Sequence, residues 1–576
     1  MERNGESFHG GASRSILLTV ITQYWLPIII AVTLGWLVKN RLNRGLNQYP
    51  GPFLASLTDW WRFWDVYGQR PEVTHQQLHA KYGDVVRLGP NSLSFADPKA
   101  LKTIYGLNKG FVKLILIRIL QSDFYVVQQS VVKGHSLASL FSTTDNDFHS
   151  QFRRCVNAAF SMSALVQYEP FVDNTTKLFL DQTERLFANN IDGCDFTKWL
   201  QFYAFDVIGE ITYSKRHGFI EKNEDIDGIV SYLSKLFLYV APIGQIPFLD
   251  RFFLKNPIYL KLSQWGFIDS TFPVAKFART RMAERLGPGY LNDPKGPLLP
   301  VADAKVDTKS PDLLSKFLAA REARPEFMSD TLVQTMAVSM AFAGSETTAI
   351  SLGSVFYYLL RNPAALDSLR KELDEFARRG EFSDYETGLV TWGESQKLPY
   401  LDACIKEAFR MHPAAGLPLE RIVPPQGAEI AGHFVKGGTI VGCSAWIIHR
   451  RPEIWGEDVE AYRPERWLVD EKTAAPGSAE RDEQEKKIRE MNGMMFQFGM
   501  GSRTCIGKNI SLLEIYKVVP SLLRRFEIRF KDPNEEWKLV NAWFVKQQNF
   551  QAMFEPREMV RSEGYDAEKV AVPAHA

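Results

Sequence analysis

Cys505 stands in a glycine-rich run, Phe498-Gly-Met-Gly501-Ser-Arg503-Thr-Cys505-Ile-Gly507, that opens a helical stretch, KNISLLEIYKVVPSLL. A cysteine just before a helix N-terminus has its thiolate favoured by the unpaired N–H groups and the dipole there. Gly499, Gly501 and Gly507 let the backbone turn tightly and approach a flat ligand closely. Arg503 beside the cysteine could hold an anionic group on that ligand. This is what a thiolate ligand to haem iron needs. The plainer alternative is a buried thiol in a glycine-rich turn.

Two other groupings resemble chemistry and lack it. His75-Gln-Gln-Leu-His79 has the i, i+4 spacing of a zinc-protease helix, but Gln76 occupies the place of the glutamate base, so a surface helix is expected. Gly501 to Asn509 looks like a phosphate loop, but Ser502 and Asn509 stand where Gly and Ser or Thr are required. No Gly-x-Gly-x-x-Gly follows a strand, so no bound nicotinamide cofactor is indicated. The remaining cysteines are Cys155, Cys194, Cys404 and Cys443. An odd total of five without Cys-x-x-Cys argues against a disulfide framework and a zinc ribbon, and fits thiols kept reduced in the cytosol.

The elements that must position these residues are mostly helical by apolar periodicity. The longest helix is expected from about Leu332 to Leu360, capped by Ser329-Asp330 and ended before Asn362-Pro363. It is apolar nearly all round, as a buried central helix would be. Val85 to Pro90 followed by Ser92 to Phe95 reads as a hairpin with Gly-Pro-Asn as its turn. Gly287 to Pro311 reads as a surface connection and Asp470 to Glu490 as a solvated loop.

Ser15 to Val38 is 24 residues without a charge. As a helix it would be ~36 Å long, enough for a ~30 Å hydrocarbon core. Lys39, Arg41 and Arg44 follow it instead of a cleavage site, so a transmembrane anchor is expected rather than a cleaved signal. No other stretch is expected to span. Residues 1–14 would then be lumenal, 39–52 a basic linker with a proline hinge at Tyr49-Pro50-Gly51-Pro52, 53–555 the catalytic body and 556–576 a tail. The 576 residues carry 68 Lys+Arg against 67 Asp+Glu, so no global attraction to nucleic acid exists.

The cysteine run matches the haem-binding signature F-x-x-G-x-R-x-C-x-G of the cytochrome P450 monooxygenases at every fixed position. Ala343-Gly-Ser-Glu-Thr-Thr348 resembles the family's oxygen-activation motif, Glu407-Ala-Phe-Arg410 its E-x-x-R motif, and Pro464-Glu-Arg-Trp467 its P-E-R-F/W motif. One such match is weak; four in the family's order are specific. The resemblance spans roughly Tyr49 to Glu555, and the anchor and proline hinge are similar to those of eukaryotic microsomal members. KYGDVVRLGPNSLSFADPKALKTIYG, SKRHGFI and WFVKQ resemble filamentous-fungal members near the pisatin demethylases, which act on small apolar secondary metabolites. Leu114 to Gln121, LILIRILQ, departs from that branch: it reads either as a lid extension or as a gene-model artefact.

The resemblance implies a mainly α fold with a small β region and one N-terminal transmembrane helix, and haem b held by Cys505. Propionate contacts would come from Arg503, His149, Arg153 and Arg421, with surface charge as the alternative for His149 and Arg421. Phe498, Gly499 and Gly507 would shape the cradle. Glu407 and Arg410, i, i+3 on a helix, face the same way and with Arg466 would form a buried cluster behind the cysteine loop; a solvated helix pair is the alternative. Gly344 would leave room for dioxygen, and Thr347 and Glu346 would manage proton delivery; close packing or back-bonding to the i−4 carbonyl is the alternative. The implied activity is insertion of one oxygen atom from O2 into a small apolar substrate in fungal secondary metabolism. Electrons would come from an NADPH-cytochrome P450 reductase, with cytochrome b5 as a second donor, and the protein would be single-pass in the endoplasmic reticulum membrane with its body cytosolic. A haem-thiolate isomerase or dehydratase is the other enzyme reading; such members often lack the threonine, and Thr347 is present.

Overall fold

A 32-residue helix, Asp330–Arg361, runs through the middle of the protein. Ser329 Oγ accepts from the Leu332 amide at its start, and Asn362-Pro363 ends it, because the proline cannot continue the hydrogen-bond ladder. The computed structural model describes residues 10–107, 109–111, 124–286 and 312–562. The helix Phe196–Tyr213 packs along the central helix and is buried on all sides except at Lys198. Met162–Phe187 packs on its far side, and the helices Pro399–Met411 and Lys508–Arg525 pack against the central helix from below. Helices dominate, as expected; one large apolar core joins most of them, and a second, smaller one lies at the hairpin sheet.

Strands Val85–Gly89 and Ser92–Phe95 form the expected antiparallel hairpin. It is extended by Ile440–Gly442 and Arg421–Ile422 into a four-stranded sheet. The β structure is wider than a patch near the N-terminal body: a three-stranded sheet joins Phe526–Phe530, Gln551–Pro556 and Cys194–Asp195, and Lys538–Ala542 pairs with Phe544–Gln548.

Several expectations need correction. The N-terminal helix runs Gly10–Arg41, beyond the apolar span at both ends, with a kink at Tyr24. The basic linker is docked on the body. Arg87 donates to the carbonyls of Asn40 and Arg41, Arg44 bonds the Gly437 carbonyl, and Leu46 and Tyr49 are buried. Asp470 to Glu490 is not all loop, since Ala479–Met494 is a helix capped by Ser478. Its charges are good helix formers, and Arg481–Glu485 and Arg489–Glu485 pair one turn apart.

Among the described residues one helix, Ile226–Ile243, is long and apolar enough to cross a membrane, but half of it is buried inside the body, as in a core helix. His75 and His79 are buried rather than on a surface helix. His75 pairs with Asp65 at 3.1 Å, and His79 bonds Ser94 Oγ and the Gly83 carbonyl. The tail begins later than residue 556, because Arg557 pairs with Asp374 and Glu527. The connection 287–311 and the departure 114–121 lie outside the described residues.

Candidate active site

Cys505 is set by the turn before the Lys508–Arg525 helix. Its amide donates to the Phe498 carbonyl at 2.9 Å, closing the loop on itself. Gly499 and Gly501 take φ of +67° and +70°, where only glycine sits without strain. A Cβ on Gly501 would come 1.8 Å from the Tyr105 carbonyl oxygen. Gly507 serves differently: its φ is −81°, and a Cβ there would stand 4.0 Å from the Cys505 sulfur. That is an ordinary contact distance, so neither a turn nor crowding demands glycine at 507. Burial pushes the Cys505 thiol up, while the Gly507 and Lys508 amides and the Arg153 guanidinium pull it down.

The thiol opens onto a cavity of about 290 Å3. The central helix contributes Gly344, Thr347 and Thr348 to the wall. Gly344 also faces Ile208 of the Phe196–Tyr213 helix, whose side chain a Cβ would approach to 3.0 Å, so close helix packing is part of its role. Thr347 Oγ1 donates to the Ala343 carbonyl at 2.9 Å, which leaves its oxygen lone pairs to the cavity. Glu346 is not among the lining residues; its carboxylate pairs with Lys546 Nζ at 3.3 Å. Lys546 also reaches Gln201 Oε1 at 2.9 Å and Ser234 Oγ at 3.3 Å.

Four basic residues ring the same cavity: His149, Arg153, Arg421 and Arg503. His149 and Arg153 share the helix Asn146–Val156, one turn apart, and Arg421 lies in the sheet. Arg503 donates to the Thr143 carbonyl at 3.0 Å and Asn146 Oδ1 at 2.7 Å, and Arg153 to the Thr504 carbonyl at 2.7 Å. Arg421 stacks 5.1 Å over the Tyr105 ring. None of the three arginines makes an ion pair with a carboxylate among the described residues. Burial pushes Arg503 down to about 10, and the neighbouring Arg421 and Arg153 add to the shift.

Behind the loop, Glu407, Arg410 and Arg466 are buried together. Glu407 accepts two bonds of 2.9 Å from Arg410, one of 2.8 Å from Arg466 Nε and one of 3.0 Å from Trp467 Nε1. Sequence reasoning did not find the link to the cysteine loop. His449 Nδ1 bonds the Arg410 carbonyl at 3.2 Å, and its Nε2 accepts the Phe496 amide at 2.9 Å. That pattern requires the neutral ring with its proton on Nδ1. Lys546, Thr348 and Phe544 were missed too. The strand alternation of Phe544–Gln548, which aims alternate side chains to opposite faces, was the available signal.

A thiol, a polar wall residue and a ring of cations around one apolar cavity recur in a known family. The family model described as Cytochrome P450 matches residues 54–553. This chain is a cytochrome P450. Cytochrome P450 monooxygenase cicH of Emericella nidulans is 39% identical over 520 residues, 90% of this chain and 96% of the relative. A cytochrome P450 monooxygenase of Aspergillus terreus is 38% identical over 503 residues, 87% and 94% of the two chains. Cytochrome P450 monooxygenase asR2 of Sarocladium schorii is 34% identical over 522 residues, 90% and 94%. P450s are oxidoreductases that carry haem, and the residues here fit it. A thiol opens onto the cavity, and guanidiniums with no carboxylate partner among the described residues are left for the propionates.

Proposed function

We propose that this P450 is a membrane-anchored haem-thiolate monooxygenase that inserts one oxygen atom into a small apolar substrate of fungal secondary metabolism. The observation that carries this is the convergence of Cys505, Thr347 and three arginines without carboxylate partners among the described residues on one cavity with aromatic and aliphatic walls. Haem, when bound, supplies the oxygen-activating chemistry. The residues of this chain do the rest. Cys505 provides the thiolate, favoured by the helix N-terminus behind it. Arg153, Arg421 and Arg503, with His149, neutralise the propionates. Phe498 and Gly499 shape the side of the cradle nearest the thiol. Thr347 presents its hydroxyl oxygen to the cavity, and Glu346, one residue away, is the carboxyl that relays protons, paired with Lys546, which is partly open to the surface. The substrate is positioned by apolar walls such as Met336, Phe342 and Phe544. Glu407, Arg410 and Arg466 fix the cysteine loop through His449.

Electrons come from an NADPH-dependent cytochrome P450 reductase, with cytochrome b5 as an auxiliary donor. The span 15–38 anchors the chain in the endoplasmic reticulum membrane with the body 53–555 in the cytosol. Trp25, Leu26, Ile29, Ile30 and Val32 are exposed on its helix, which suits a lipid environment.

The test is a carbon-monoxide difference spectrum together with reductase-dependent NADPH turnover. The wild type should give the thiolate-type band and consume NADPH. Cys505→Ser should lose that band while remaining membrane-bound. A normal band in Cys505→Ser would reject the ligand assignment.

A further inference from the structure

The cavity walls carry several hydroxyls whose protons are already donated. Thr335 Oγ1 donates to the Thr331 carbonyl and Ser339 Oγ to the Thr335 carbonyl, each at 2.7 Å. Ser139 and Ser142 bond one another at 3.0 Å. Among the described residues, three that line the cavity keep a buried polar atom unpaired: Gln128, Gln497 and Glu514. Gln497 and Glu514 belong to the cysteine side, flanking Phe498 and lying on the Lys508–Arg525 helix. Gln128 lies between the Phe124–Val127 helix and the Ser130–Val132 strand. It is 8% exposed, and both its amide oxygen and its amide nitrogen lack a partner.

Its position is fixed by its neighbours. Lys255 donates to the carbonyls of Val126 and Val127 at 2.6 and 2.7 Å and pairs with Asp250 at 3.2 Å. Gln129 next to it reaches the Ser142 carbonyl. Buried polar groups in folded proteins are nearly always paired, and an unpaired one carries the full desolvation penalty. A complete primary amide held unpaired at the wall of an apolar cavity is therefore ready for a partner that enters the cavity. A primary amide presents a donor and an acceptor side by side.

We propose that Gln128 is a specificity residue that reads an adjacent acceptor and donor, as on a lactam or carboxylic acid edge, of an otherwise apolar ring substrate. This rests on the monooxygenase reading of the cavity. The substrate's carbonyl accepts from the Gln128 amide nitrogen, and its neighbouring N–H or O–H donates to the amide oxygen. The pair pins one edge of the ring system at the cavity wall.

The test uses the full-length holoenzyme and three ring probes of similar size: oxindole, N-methyloxindole and indane. Binding is read by equilibrium dialysis, which does not depend on turnover. Wild type should hold oxindole about tenfold more tightly than N-methyloxindole, the discrimination expected when a buried amide is left half-paired. Gln128→Met and Gln128→Leu should abolish that preference and bind indane at least as well as wild type. If one variant fails to load haem, the other and the wild-type probe series carry the test. No oxindole preference in the wild type overturns the proposal. So does a preference retained in either variant, which would mean that Gln128 holds only a buried water, or an equal loss of all three probes, which would mean that it only supports the roof. A wild-type protein without the thiolate-type carbon-monoxide band overturns the monooxygenase reading and the proposal with it. A normal band with no discrimination rejects Gln128 alone.

Discussion

Thr347 has its hydroxyl proton on the Ala343 carbonyl, so toward the cavity it is an acceptor first. A proton passed through it must be replaced from that bond, and the adjacent Glu346, paired with Lys546, is the nearest acid on the same helix. Thr347→Ala removes the hydroxyl without touching the cysteine loop or the arginines. Haem loading should stay normal, NADPH consumption should persist, product should fall and hydrogen peroxide should rise. Positioned proton transfer is worth ~10²–10⁴-fold in rate, which sets the expected scale of the loss. Thr347→Ser should retain most product, since the hydroxyl returns. Coupled turnover equal to wild type in Thr347→Ala would leave the residue a packing threonine.

Among elements, the Pro399–Met411 helix and the cysteine loop behave as one unit because Glu407, Arg410 and His449 connect them. Glu407→Ala leaves Arg410 buried without a carboxylate and Arg466 with only Asp458 at 3.3 Å, a loss of about 3–5 kcal/mol. Little holoprotein should form, and haem content per chain measures it. Full haem incorporation would strip the cluster of its structural role. His449 adds a pH dependence with a definite sign. Burial and the neighbouring Arg410 push it down to about 3, from an ordinary value of 6.5. Below pH 6.5 the unfolded chain takes up a proton that the folded chain refuses. The stability from the neutral ring is therefore present above about 6.5 and is lost as pH falls toward 3. The slope is about 1.4 kcal/mol per pH unit. His217 and His412, also pushed to about 3 by burial, act in the same direction, while Asp206, pushed up to about 6, opposes them. His449→Gln can still donate and accept, and it should lose one proton's worth of that slope. Urea midpoints at neutral and mildly acid pH would show it, and an unchanged difference from wild type would exclude His449 as the coupling group.

The same elements show what the sequence made legible. The central helix, the hairpin and the cysteine turn were readable because caps, proline stops and glycine spacing are local. The helix Ala479–Met494 was hidden because charge content suggested solvent, while helix propensity and i, i+4 pairs decide structure there. His449, Lys546 and Gln128 were illegible for another reason. Each acts through a partner far along the chain, Phe496, Glu346 or the cavity itself, and no local spacing marks such a pair. Gly344 was half legible: its smallness was clear, but the contact with Ile208 depends on how two helices meet.

At the scale of the whole molecule, the distribution of exposed aromatics extends beyond the N-terminal helix. Trp60, Trp64 and Tyr67 are exposed on one helix, and Phe248, Phe252, Phe253, Ile258, Trp265 and Phe267 on the segment after Ile243. The two groups are joined by the helix Ile229–Ile243, which packs on Trp60–Tyr67 and leads into that segment. Apolar patches of this kind mark a protein or lipid interface, and burial of apolar area contributes roughly 25 cal/mol per Å2. Aromatic rings with polar rims suit the level of lipid headgroups. Deleting residues 1–38 should therefore weaken but not abolish attachment. The truncated protein should float with phospholipid vesicles, resist release by high salt, and come off in mild detergent, because the contact is apolar and not a screened charge interaction. Replacing Trp64, Phe252 and Phe267 together with serine in the truncated chain should send it to the soluble fraction with its carbon-monoxide band intact. A truncated chain that is already soluble without those replacements would confine membrane attachment to the N-terminal helix and leave the exposed aromatics to a protein partner.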